Sequence, residues 1–216
     1  MQLNKIYTYP GMLLYYLLLI TGAFILFLSE KGDWVIWLSR NGSALFDRFF
    51  IYWTYLGDGL VFVVLIVVFI FRDYVFLFIT ILAAIIQTVF VQGLKRFIFS
   101  GLVRPRLFFE DFGTFRQIEG IEFYSNNAFP SGHTATAFTC ALILSLYLRD
   151  KRWSVLLILA AVLVGISRIY LMQHFFVDVY FGSIFGMVSV ILSAYIMLGN
   201  KYIHGNFSGR SLLSGR

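Results

Sequence analysis

Six long apolar stretches, separated by short charged or polar intervals, constrain this chain more than any other feature. A helix needs about 20 mostly apolar residues to cross the hydrocarbon core of a bilayer. No charge stands between Lys5 and Glu30, and 12–28 is nearly all apolar. Further runs cover 57–71, stopped by Arg72 and Asp73, then 74–94, ending at Lys95. The last three cover 132–148, 153–168 and 176–199, the first of them closed by Arg149-Asp150-Lys151-Arg152. A secretory signal peptide is the competing reading of the first run. That run is long, however, and no small-x-small cleavage site follows it before Glu30.

The expected fold is therefore all-α, a six-transmembrane helix bundle over residues 1–205. The Gly/Ser-rich stretch 206–216 reads as a flexible or appended tail. Pro10, Pro105 and Pro130 all lie outside the spans, as helix continuity requires.

Composition excludes the alternatives. Hydrophobic residues make up 60% and charged residues 13%, with mean hydropathy +0.83. A water-soluble chain of this size cannot hide that much apolar surface. With 19% aromatics, 3 Pro and 1 Cys, disorder, collagen-like repeats and a disulfide scaffold are also ruled out. Cys140, inside an apolar run, is read as packing. Net charge is +6, but the 17 Lys and Arg form no run, so nucleic acid is not an expected partner. A basic balance suits contact with anionic membrane lipids instead.

Six spans place both termini on one side. With the termini inside, Lys5, Arg72, Arg149, Lys151, Arg152, Lys201, Arg210 and Arg216 are cytoplasmic, eight against nine outside. Setting aside Lys95, Arg104 and Arg168, which serve a different purpose, leaves eight against six. The positive-inside rule then favours cytoplasmic termini.

The polar residues near the span ends follow a pattern. Lys95 ends span three, and Ser131, Gly132 and His133 open span four. Ser167 and Arg168 close span five, while His174 and Asp178 stand at the start of span six. In an antiparallel walk of six helices, parity alone puts all these ends on one membrane face.

The set has a chemical logic. Pro130 and Ser131 read as a helix start, whose free N–H groups and dipole attract an anion. Gly132 lets a ligand approach the backbone. Arg104 and Arg168 can grip phosphate oxygens bidentately, and Lys95 adds a point charge. His174 and Asp178, four apart, share a helix face. A carboxylate accepting from one imidazole nitrogen leaves the other free to attack, with His133 available as general acid. No metal is required, because the cations do the neutralising.

These residues resemble the motifs of the type 2 phosphatidic acid phosphatase superfamily. Its Ser-Arg-x5-His-x3-Asp motif is met by Ser167, Arg168, His174 and Asp178, and its Pro-Ser-Gly-His motif by Pro130 to His133. Its Lys-x6-Arg-Pro motif meets Arg104-Pro105, but Lys95 lies two residues further upstream. Either the loop carries an insertion or Arg96 supplies the charge.

The resemblance implies a phosphohistidine intermediate on His174, oriented by Asp178, with proton donation by His133. It implies phosphate binding by Lys95, Arg104, Ser131, Gly132 and Arg168, without metal or cofactor. It further implies a periplasmic active face at a bacterial inner membrane.

The expected function is a metal-independent lipid phosphatase acting on a phosphomonoester or diphosphate head group. Candidate substrates are isoprenoid diphosphate, phosphatidylglycerol phosphate, phosphatidic acid and lipid A phosphate, with no obligate protein partner evident. A lipid phosphotransferase would share the first chemical step. An anion or lipid transporter would spread polar groups through the depth of its spans, whereas here they sit at the ends. Gly182 and Gly186 form a small-xxx-small pair read as packing within the bundle. Asp58 reads as a helix-entry turn, and the aromatic segment from Phe97 to Phe112 as an interfacial anchor or a lid.

Overall fold

The computed structural model describes residues 10–110, 118–122, 124–199, 207 and 209–214. Helices α1 (Pro10–Leu28), α2 (Asp33–Arg40) and α3 (Ala44–Trp53) lead into a 3₁₀ turn, Thr54–Gly57. Next come α4 (Leu60–Arg72) and α5 (Tyr74–Gly93), which runs on as a π-helical turn, Leu94–Ile98. A one-turn α6 (Pro105–Phe108) precedes α7 (Gly132–Leu148), α8 (Lys151–Tyr170) and α9 (Phe176–Gly199). No strand is present among the described residues.

Polar residues between the apolar runs cut them into helices. The Asp73 carboxylate accepts from the N–H groups of Val75 and Phe76, starting α5 one residue after α4 stops. Asp150 accepts from Arg152 N–H to start α8, after Arg149 has ended α7 in the left-handed region at φ 56°. Each cap satisfies backbone donors that hydrocarbon would leave unpaired.

Helix α7 is the centre of the bundle, packed chiefly against α8 and α9 and also against α5. Most of its residues are buried, and many are small: Thr134, Ala135, Ala137, Thr139 and Ala141. Across from them, a Cβ on Gly182 would lie 2.6 Å from the Ser131 carbonyl oxygen, and one on Gly186 would press into that of Ala135. The small-residue pair therefore serves close helix approach within the bundle. A buried polar link crosses the same place: Gln87 donates to Thr136 at 3.0 Å, and Thr139 donates to Gln87 at 2.7 Å. Such interhelical bonds hold helices together where hydrophobic driving force is weak.

Gly186→Ala is expected to destabilise the protein by about 1–3 kcal/mol, because backbone, not a flexible tip, occupies the added methyl's place. Thermal unfolding in detergent should register a drop of several degrees. Gly93→Ala, where nothing lies within 4 Å, should show no drop.

The outer surface is apolar. Leu13, Leu17, Ile20, Phe24 and Phe27 of α1 are all exposed, a face that suits lipid and not water. By length and composition, α1, α5 with its π turn, α8 and α9 can each cross a membrane. The stretch Ala44–Gly57 qualifies only jointly with α4, across a 52° bend, and α7 is apolar but has 17 residues. The count among the described residues is thus four, or five if the bent pair is one span, against the six expected. The differences have physical sources: α4 has only 13 residues, and α7 starts at a buried polar cap.

Helices α2 and α3, in the interval between the first two expected spans, pack against α8. In the stretch expected to be a flexible tail, the described part is docked: the Arg210 carbonyl accepts from Tyr74 N–H at 2.9 Å, and Phe207 meets Phe78 edge-on. His204 and the remaining tail positions lie outside the described residues.

Candidate active site

Three helix ends and one loop meet at one end of α7. Ser131 caps α7 with a hydroxyl that accepts from Thr134 N–H (3.4 Å) and Thr134 Oγ1 (2.9 Å). Its own N–H donates to the Asp178 carbonyl at 2.9 Å, joining the start of α7 to the start of α9. The N–H groups of Gly132 and His133 have no acceptor within the first turn, so they are free to meet an anion. A Cβ on Gly132 would find only Val91, at 3.7 Å. No protein atom demands glycine there, and the space in front of the backbone is open.

The loop from α8 to α9 is tied to the last turn of α8. The Arg168 carbonyl accepts from both Gln173 N–H (3.0 Å) and His174 N–H (3.1 Å), and Met172 turns through the left-handed region at φ 54°. This folds His174 back into the protein, where it is 2% exposed. Its Nδ1 lies 3.5 Å from Asp178 Oδ2, long for a hydrogen bond, and has no other partner. The same carboxylate oxygen accepts from Phe175 N–H at 2.8 Å, so Asp178 also fixes the backbone beside the imidazole. Burial, aided by the charges of Arg104, Arg168 and Lys95, holds His174 well below the usual histidine range. The ring is neutral at neutral pH, the state a nucleophile needs.

Arg104 enters from the loop before α6. Its backbone N–H donates to the Ser125 carbonyl, and its Nε to that of Asn126 at 3.0 Å. One terminal nitrogen donates to Gln173, to Oε1 at 3.0 Å and to the carbonyl at 3.3 Å. Gln173 in turn donates to the Glu122 carbonyl, and the Tyr124 ring lies 5.2 Å from the guanidinium. Burial lowers the Arg104 pKa from its ordinary value, with the Asp178 charge opposing it.

Arg168 is buried at the end of α8 and donates from Nη1 to Thr54 Oγ1 at 2.9 Å, while its Nε has no partner. Lys95 is buried on the π turn and within electrostatic reach of Arg104, Asp178 and Arg168. Arg96, its neighbour, is exposed. A π turn accommodates extra chain and rotates the residues beyond it, which suits a first motif two residues longer than the family pattern. His133 is half-buried in the first turn of α7, within reach of Arg168, Asp58, Lys95 and Arg104.

The eight residues singled out from sequence therefore converge: Lys95, Arg104, Ser131, Gly132, His133, Arg168, His174 and Asp178. Sequence reasoning missed Gln173 and Thr54, which hold the two arginines. Neither sits in a pattern that marks it, although Gln173 directly precedes His174. Phe108 and Phe109 pack on Phe175 beside the site, and Lys31 lies 4.6 Å from the same ring. The described part of the aromatic segment thus lies against the loop that carries His174, whereas positions 111 and 112 lie outside the described residues.

Comparisons with known proteins bear on the family and the fold. The model of the PAP2 superfamily matches residues 73–202, which include all three motifs. A search of curated proteins finds no match. Among solved structures, the chain is similar to Aquifex aeolicus LpxE at 34% identity and TM-score 0.66, over 77% of this chain and 95% of that one. It shares its fold with the first transmembrane PAP2 type phosphatidylglycerolphosphate phosphatase from Bacillus subtilis, at 23% identity and TM-score 0.60, over 89% and 98%. With its family model spanning well over half its length, and a membrane-suited helical bundle around the motif residues, the chain belongs to the PAP2 superfamily as an integral-membrane phosphatase.

Proposed function

We propose that this protein removes phosphate from a lipid head group, a phosphomonoester or diphosphate, through a covalent adduct on His174. The observation that carries the reading is a buried imidazole within electrostatic reach of Lys95, Arg104 and Arg168 at one end of an apolar bundle. The three cations and the N–H groups of Gly132 and His133 neutralise the phosphoryl oxygens as charge builds on them. The His174 ring nitrogen away from Asp178 attacks phosphorus, and the bond to the lipid oxygen breaks. His133 gives that oxygen its proton. Water then attacks the phosphohistidine, with His133 taking the water's proton, and inorganic phosphate leaves. Asp178, close to Nδ1, orients the ring.

A cavity of about 330 Å³, bordered by Lys31, Gly32, Trp34, Phe175, Phe176 and Val177, lies against the loop just after His174. Its mixed lining suits the junction of a polar head and a tail. The candidate substrates remain isoprenoid diphosphate, phosphatidylglycerol phosphate, phosphatidic acid and lipid A phosphate. The family resemblance supports a periplasmic site at a bacterial inner membrane, and on the six-span reading the charge balance favours cytoplasmic termini.

Protein purified in detergent should release phosphate from at least one lipid of that panel in the presence of EDTA. Each phosphate should appear with one dephosphorylated lipid. Silence across the panel, or complete loss on chelation, would remove the reading. Product in which a lipid hydroxyl has captured the phosphoryl group would make the enzyme a phosphotransferase.

A further inference from the structure

The bend between α3 and α4 reaches the site from outside the family-matched segment. Residues 54–58 precede the matched stretch, and no motif includes them. The bend is nevertheless built into the site. Trp53 Nε1 donates to the Ala160 carbonyl of α8 at 3.1 Å, fixing the end of α3. Gly57 packs so closely that a Cβ would lie 2.5 Å from the His133 carbonyl oxygen and 2.7 Å from Val164 Cγ1. Thr54 is buried there, with its hydroxyl 2.9 Å from Arg168 Nη1.

The choice of nitrogen matters. A guanidinium presents two edges for bidentate contact, one formed by Nη1 with Nη2 and the other by Nε with Nη2. Thr54 accepts from Nη1 at 2.9 Å and so anchors that end of the guanidinium. Arg168 Nε is buried and has no partner, so the second edge is kept free. Left without an acceptor, Nη1 would be a buried donor on a charged group, and the guanidinium would turn to satisfy it. An arginine side chain has several rotatable bonds, and nothing else described on Arg168 fixes which edge it presents.

Resting on the phosphatase reading above, we propose that Thr54 is a positioning residue that sets Arg168 to meet a phosphoryl group with its Nε–Nη2 edge. Thr54 touches no substrate atom. It acts by holding Nη1, so that the guanidinium stays turned with its Nε–Nη2 edge open to an acceptor.

The test uses full-length protein in detergent, with orthovanadate and inorganic phosphate as probes. Their affinities are read by thermal shift, which needs no knowledge of the lipid substrate. Thr54→Val keeps the shape and removes the acceptor. It should weaken both affinities roughly 10- to 100-fold, the range for a hydrogen bond to a charged group. Thr54→Ser should restore them to within about twofold. In an Arg168→Lys background, Thr54→Val should cause no further loss, because no guanidinium edge remains to be set. Unchanged affinity in Thr54→Val, equal losses in both backgrounds, or no binding of either anion by the wild type would each overturn the proposal. Should the valine variant fail to fold, Thr54→Ala must show the loss that Thr54→Ser does not. Phosphate release by the wild type, measured alongside, separates failure of this proposal from failure of the phosphatase reading.

Discussion

Replacing His174 with alanine is expected to lower phosphate release from the best lipid substrate by more than about 10⁴-fold. On the proposed mechanism this imidazole attacks phosphorus, and without it the reaction loses its covalent route. The variant should still fold, since the loop backbone is held by the Arg168 carbonyl and not by the ring. Brief exposure of wild-type protein to labelled substrate should trap an acid-labile, base-stable adduct that the alanine variant lacks. Undiminished release by the variant would refute the mechanism. Burial and the nearby cations also keep the ring unprotonated below the usual histidine range. As the pH falls through that range, the nucleophile should remain active, and the loss of kcat/KM due to its protonation should appear only at lower pH.

His133→Ala is expected to have the second-largest effect, and its size should depend on the leaving group. A lipid alkoxide is a poor leaving group that needs a proton as the bond breaks, so loss of the general acid should cost roughly 10²–10⁴-fold. An aryl phosphate whose phenol leaves readily as an anion should lose far less. Equal losses on both substrates would assign His133 to phosphate binding or structure instead. The comparison isolates proton donation because attack at phosphorus is common to both reactions.

Much of this site was legible because its chemistry dictates residue types at fixed spacings. His174 and Asp178 were expected on one helix face; the structure puts His174 in the loop before α9 and Asp178 in that helix's first turn, and they still meet at 3.5 Å. Ser131 and Gly132 stand next to each other because a cap and an open backbone are needed at the same place. Helices α1, α5, α8 and α9 were legible for a simpler reason: long apolar runs have no other stable use. Helices α2 and α3 were not, because they are short and mix charge with apolar residues, as in Asp33 to Arg40. Run length carries no information about such helices.

Thr54 and Gln173 escaped for a different reason. Thr54 meets Arg168 across 114 positions, and Gln173 meets Arg104 across 69. A neutral side chain that supports a charged one has no required spacing, so its role exists only in three dimensions. The span count suffered from the same limit. The number of crossings depends on how α3 and α4 join at their bend, which no hydropathy window detects, and on whether the 17-residue α7 is long enough to span.

The bond from Ser131 N–H to the Asp178 carbonyl has a mechanical consequence. It links peptide groups, so among substitutions only proline at 131 deletes it, and it couples the segments that carry His133 and His174. Stretching or thinning the surrounding bilayer can tilt these helices and alter how a substrate arrives. The gap between the two imidazoles would stay nearly constant. Turnover in membranes of different thickness should therefore vary in KM far more than in the chemical rate.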